Sequence, residues 1–167
     1  MYKYKENLLT EFNFRPFDTR YTLYTFYSGE SNGFIGTPSK TIKDYYTNNN
    51  LTLITKKQMQ GNSFANIFIT NEIVDRSFLE SLCGGVYAMP LYLYHDNGAF
   101  GIAKKKLNFT VEFSEFLKTL NFKPIPEKIL AYIYAVLHSP IYRKKYIEIL
   151  KKIKNLFPAV PFTTDKS

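Results

Sequence analysis

Three observations predict an α+β fold, with a mixed sheet and short helices over the first two-thirds and a C-terminal helical layer. Residues 130–137 read Leu-Ala-Tyr-Ile-Tyr-Ala-Val-Leu, apolar on every face, the pattern of a helix surrounded by other elements. Before them, β-branched and aromatic runs recur at spacings too short for strand–helix–strand crossovers. After residue 110, Phe113, Phe116, Leu117 and Leu120, and then Tyr142, Tyr146, Ile149 and Ile153, follow helical spacing, so the helices gather late.

Residues 1–13 are polar and aromatic without a clear period and read as a linker from upstream domains. In Phe14-Arg15-Pro16-Phe17-Asp18-Thr19-Arg20, Pro16 breaks any helix and Asp18 suits a turn. Residues 21–27 are β-branched and aromatic; with the loop 28–33 and Phe34-Ile35 they predict a hairpin. Thr37-Pro38 is a helix start, with Ile42, Tyr45 and Tyr46 on its apolar side and Asn48-Asn49-Asn50 as its end. Residues 51–55 and 65–70 are strands flanking a polar segment, 56–63. Asp75 is expected to cap a short helix to Leu82, stopped by Gly84-Gly85. Residues 86–94 form a strong strand, and Pro90 marks an edge or a bulge in it. A turn over 95–101 leads to the basic run Lys104-Lys105-Lys106.

Residues 14–125 are thus expected as one α+β region, with the sheet over about 14–107, its loops at one side, and helices from about Ser114. Residues 126–167 should be a helical region packed on it. Pro126 suits a first helical position, where a missing N–H costs nothing. Ser139-Pro140 restarts the helix, the hydroxyl capping free N–H groups. Leu130, Ile133, Val136 and Leu137 should be among the most buried side chains.

A chain of 167 residues suits one domain with a substantial core, and 17% aromatic content, from 14 Tyr and 15 Phe, excludes a disordered tail. The single cysteine, Cys83, excludes an internal disulfide framework and suits a reducing cytoplasm. No secretory leader pattern and no apolar run near the roughly 20 residues of a membrane helix occurs, so no membrane partner is expected. The formal charge of +8 favours a polyanionic partner, since neutralising phosphates releases condensed counterions. Solubility, or the lysine-rich coding of an A·T-rich genome, accounts for the same excess.

Catalytic signatures are missing. The sequence holds no Asn- or Asp-Pro-Pro-aromatic loop of an adenine methyltransferase, no phosphate-binding Gly-x-x-x-x-Gly-Lys-Ser/Thr and no Pro-Asp with Glu-x-Lys of a metal-dependent nuclease. His95 and His138 lack metal-ligand spacing, and His138, at the helix corner, is expected to bond a carbonyl or charge. Cys83 reads as a buried thiol rather than a nucleophile.

Polar segments carry more. Gln58, Gln60, Asn62 and Ser63 are candidate base readers, because carboxamides grip adenine bidentately in the major groove; Lys56 and Lys57 beside them suit phosphate or guanine. A solvated loop is the plainer reading. Asn32 and Lys40, with Ser39, form the next set of donors. Lys43, Lys104, Lys105 and Lys106 fit phosphate contacts, as do the lysines of the last helix and Arg143, or they are simply wet surface. Arg15 and Arg20 around Asp18 are more often a fold-stabilising pair.

Three motifs in order and spacing, Phe14-Arg15-Pro16-Phe17-Asp18-Thr19-Arg20, Met89-Pro90-Leu91-Tyr92-Leu93-Tyr94, and Tyr134-Ala135-Val136-Leu137-His138-Ser139-Pro140-Ile141-Tyr142-Arg143 with Tyr146 and Phe157-Pro158, span most of the chain. They resemble the target-recognition domain of single-polypeptide restriction-modification enzymes of the Type ISP kind. Those enzymes join nuclease, translocase, adenine methyltransferase and recognition domain in one chain. The resemblance implies a bacterial, cytoplasmic module that reads a duplex DNA sequence for such a polypeptide. Methyl transfer, and cleavage after ATP-driven translocation, would belong to the other domains, as would S-adenosylmethionine, ATP and Mg; none is expected in this segment. It also implies further chain beyond Phe157-Pro158, so the polar end looks like a truncation. Two other readings stay open: a protein-interaction domain docking through its basic helix, and an RNA binder stacking bases on exposed Tyr and Phe.

Overall fold

The structure is a computed structural model and describes residues 9–23, 49–56, 67–79, 85–95, 104–152 and 157–162. Its strands are β1 (Leu9–Arg15), β2 (Asp18–Leu23), β3 (Thr52–Thr55), β4 (Phe68–Thr70), β5 (Ile73–Val74), β6 (Tyr87–Pro90), β7 (Tyr92–His95) and β8 (Lys104–Leu107). Its helices are α1 (Val111–Thr119), α2 (Pro126–His138) and α3 (Pro140–Lys152). Among the described residues strands come first and helices last, which fits the α+β class expected. Among these residues the strands form three small sheets, β2-β1-β5, β4-β3-β6 and β7-β8; the first is mixed, since β5 runs parallel to β1 and β2 antiparallel.

All four residues of β3 are buried, and their alternation splits them between two cores. Leu53 faces a cluster with Ile67, Leu91, Leu130, Leu137 and Tyr142. Ile54, fully buried, joins Phe78 and Leu79. The first cluster fastens the helical layer to the sheet: α2 supplies two of its members and α3 supplies Tyr142. Leu130 and Leu137 are 5% and 2% exposed, as expected, whereas Ile133 and Val136 are half-buried at the cluster's margin. Ala131 and Ala135 are exposed, and Tyr132 is 38% exposed. The apolar sequence of α2 therefore does not mean a helix surrounded by partners; small and amphipathic residues line an open side.

Other expectations shift as well. Leu9–Asn13, read as part of a linker, belong to β1, which pairs with β2 from Leu9↔Leu23 to Arg15↔Asp18. Most of the hairpin expected from Tyr21 to Phe34-Ile35 lies outside the described residues, while β1 and β2 form a hairpin that turns at Pro16-Phe17. Its turn chemistry was legible, but the alternation of Leu9, Glu11 and Asn13 with Thr10 and Phe12 is too polar to signal a strand. Asp75 caps a tight turn, its Oδ1 accepting from Ser77 N at 2.7 Å, and residues 76–79 are not helical. The expected continuation to Leu82, the helix after Thr37-Pro38 and the strand Phe34-Ile35 lie outside the described residues.

Pro90 is the last residue of β6, which among the described residues is an edge strand, one of the two positions expected for it. The strand expected over residues 86–94 breaks at Leu91 into β6 and β7, so the chain leaves β3 and enters the β7–β8 ribbon. Lys104-Lys105-Lys106, expected only as a basic run, is β8. Thr110 caps α1, its Oγ1 accepting from Phe113 N at 3.2 Å.

Candidate nucleic-acid interface

The β7–β8 ribbon follows β6 and precedes α1 in the chain, and side chains set its position. Leu91 N donates to Leu51 O at 2.8 Å, continuing the β3 ladder by one residue. Beyond it, the Asn50 carboxamide takes the place of a strand backbone: its Nδ2 donates to Tyr92 O at 2.7 Å and its Oδ1 accepts from Tyr92 N at 3.1 Å. Asn108 Nδ2 donates to Pro90 O at 2.9 Å from the ribbon's other end.

Tyr92 ties the ribbon to α2 by donating its hydroxyl to Glu127 Oε1 at 2.6 Å. Burial and that carboxylate push the Tyr92 phenol up to about 12, and the same bond holds Glu127 below the usual carboxylate range. The Lys105 ammonium lies 3.6 Å from the centroid of the Tyr92 ring. Alongside, an open groove of about 620 Å³ runs between β8, α1 and α2, floored by Leu107, Phe109, Leu117, Phe122 and Ile129. Lys118 and Lys123 line it and are exposed.

The helix corner is built from polar bonds. Arg143 Nε donates to Leu137 O at 2.7 Å and its Nη2 meets His138 Nδ1 at 3.1 Å, while His138 Nε2 lies 3.0 Å from Ile67 O. Arginine can only donate and a carbonyl only accept, so Nδ1 is the acceptor and Nε2 carries the proton. His138 bonds a carbonyl as expected. Arg143, counted from sequence with the basic surface, is turned into the corner, and burial lowers its pKa. Past α3 the chain returns across the helices: Tyr142 donates to Ala159 O and Tyr132 to Pro161 O, at 2.6 and 2.7 Å.

At the β1–β2 turn, Arg15 and Arg20 stack on Phe14 with guanidinium carbons 4.1 and 3.9 Å from its centroid. Arg20 grips Asp18 through Nε and Nη2 at 2.8 to 3.2 Å, and Arg15 lies 3.5 Å from Asp75. The Arg20–Asp18 pair is the kind the turn sequence suggested, whereas Arg15 pairs outside the turn, with Asp75. Phe17 projects from the tip, 100% exposed, at φ 65°.

Of the residues expected to meet DNA, Lys105 and Lys106 are exposed on β8, and Lys104 pairs with His95 at its start. Lys56 corrects one expectation. It is 6% exposed and its ammonium donates to Leu79 O at 3.2 Å, so it is a buried tether of the second core rather than a phosphate contact. Gln58, Gln60, Asn62, Ser63, Asn32, Lys40, Lys43 and Lys57 lie outside the described residues. Sequence reasoning missed Asn50, Tyr92 and Glu127. Asn50 had been read as a helix end, and no local period links it to a residue 42 positions on.

Solved structures with the same fold belong to much larger proteins. The ATP-dependent Type ISP restriction-modification enzyme LlaBIII bound to DNA matches with a TM-score of 0.66 and 22% identity over 96% of this chain. A DrdV–DNA complex matches with a TM-score of 0.64 and 18% identity over 94% of it. A nuclease-deletion mutant of the Type ISP enzyme LlaGI with a DNA substrate mimic matches with a TM-score of 0.54 and 22% identity over 96% of it. The chain spans only 10%, 15% and 12% of those proteins. No curated protein matches it. The profile of one family, described as the Type ISP C-terminal specificity domain, matches residues 1–167 from end to end, and the chain belongs to that family.

Proposed function

We propose that this chain is a non-catalytic module that recognises a short duplex DNA sequence, positioning the methyltransferase and nuclease parts of a restriction-modification polypeptide. The observation that carries the reading is membership in a specificity-domain family over all 167 residues. A formal charge of +8, and exposed lysines on β8, α1 and α3, supply the phosphate attraction such a module needs. Among the described residues no group of His, Cys, Asp and Glu could hold a metal, and no helix is long and apolar enough to cross a membrane. S-adenosylmethionine, ATP and Mg are assigned to other domains of the polypeptide, and the site of action to the bacterial cytoplasm.

The test is selection of duplexes from a randomised library by the purified chain, with single-stranded RNA as competitor. Enrichment of one short duplex sequence supports the reading; equal retention of all duplexes, or preference for RNA, defeats it. Methyl transfer to DNA by the chain alone, above background, would defeat the non-catalytic part.

A further inference from the structure

Lys105 and Lys106 are neighbours in sequence and both exposed, yet the ribbon separates them. Successive side chains of a strand point to opposite faces, and residues paired across an antiparallel ribbon share a face. Lys105 pairs with Tyr94 and Leu107 with Tyr92, so these four lie together; Lys106, paired with Leu93, lies on the other side. The first face is turned to α2, because the Tyr92 hydroxyl meets Glu127 and Leu107 lines the groove with Pro126 and Ile129.

On that face the Lys105 ammonium is already engaged, 3.6 Å from the Tyr92 ring centroid and close enough to Glu127 to help hold its carboxyl below the usual range. A phosphate reaching it would displace the cation from the ring and approach a carboxylate. Lys106 has neither obstacle: among the described residues it has no hydrogen-bond or ion-pair partner, and its cross-strand neighbour is apolar.

We propose that Lys106 is the ribbon's contact with a DNA phosphate, and that Lys105 is a brace that pins the ribbon against α2 and stays off the DNA. This rests on the duplex-recognition reading above. It divides a run of three lysines by strand alternation, so the DNA lies on the Leu93–Lys106 side of the ribbon and α2 on the other.

The experiment measures binding of the purified chain to its selected duplex across a salt series. Lys106→Ala is expected to lower affinity by roughly 3- to 10-fold near 0.1 M salt and to reduce the magnitude of the log–log salt slope by about 0.9. Lys106→Arg should keep the wild-type slope, and Lys105→Ala should also keep it. In the free protein the Lys105 side-chain methylene protons should resonate upfield, in the shielding cone of Tyr92, and should stay there when duplex is added, while those of Lys106 move. Equal slope changes for both alanine variants, or loss of the Lys105 ring shift on adding duplex, overturns the assignment while leaving duplex recognition standing. A wild-type chain that binds no duplex overturns both.

Discussion

Asn50 and Tyr92 are joined by two hydrogen bonds, one from the carboxamide nitrogen to the tyrosine carbonyl and one from the tyrosine N–H to the carboxamide oxygen. A side chain thereby imitates a β-ladder rung at the point where the chain passes from one sheet to another. Asn50 is 2% exposed, so water cannot replace either bond. Asn50→Ala would leave both Tyr92 backbone groups without these partners, an expected loss of about 2–4 kcal/mol in urea unfolding. A loss below about 0.5 kcal/mol would show that the ladder closes without it.

The Tyr92–Glu127 bond has two pH limits. The Tyr92 pKa is raised to about 12, first by burial and then by the bond to Glu127, so the stability tied to the neutral phenol is complete below the free value of 10.0 and fades as pH climbs toward the higher one. Glu127 is lowered from 4.5, so its contribution is present above that value and fades as pH falls through the lowered one. Tyr92→Phe should therefore cost about 1 kcal/mol, little for a bond so exposed, with a flat difference between the two proteins near neutrality. Thermal melts in acid should narrow the difference, and strong alkali should invert it as a phenolate forms beside the Glu127 carboxylate; a difference unchanged at both extremes would assign the loss to something other than this bond.

Leu137 and Ile133 separate burial from apolar pattern. Leu137→Ala should cost about 2–5 kcal/mol, as a change in a closed core does. Ile133 is half-buried at the cluster's margin, so Ile133→Ala should fall at or below the lower end of that range. Denaturant midpoints with unchanged slopes would check the order, and a reversed order would mean that the open side of α2 is covered in solution.

Base reading is expected to be separable from phosphate contact. Gln58→Ala should relax discrimination at one position of the selected duplex by about 1–3 kcal/mol while leaving non-specific binding nearly intact. Competition between single-base variants of the duplex reads this directly. If all variants weaken alike, the segment at 57–63 is a backbone contact, and Asn32 and Lys40 become the next candidates.

How much of this was legible in the sequence depended on how local the cause was. Pro126, Ser139-Pro140 and Pro90 act on their own backbone, and the structure places helix starts or a strand end at each. The bond between His138 and a carbonyl was likewise expected, since a helix end offers few other partners. Lys56 was misread because its segment is polar throughout, and only the packing of Phe78 and Leu79 against β3 brings the Leu79 carbonyl within its reach. Lys105 and Lys106 could not be told apart before β8 had a register. Strand alternation was available from the start, but not the knowledge that this run is a strand.

The turn at Pro16-Phe17 bears on what the chain has been selected for. A φ of 65° crowds the Cβ of any L-residue, at a cost of about 1–2 kcal/mol, and a bulky aromatic is among the least suited to it. Asparagine tolerates that conformation, so Phe17→Asn should raise the melting temperature, the ring surrendering only an edge contact with Phe68 at 6.3 Å. If the variant melts higher, the wild-type turn is strained without any benefit to folding, and an exposed ring held out on a braced hairpin marks a position kept for work outside the fold.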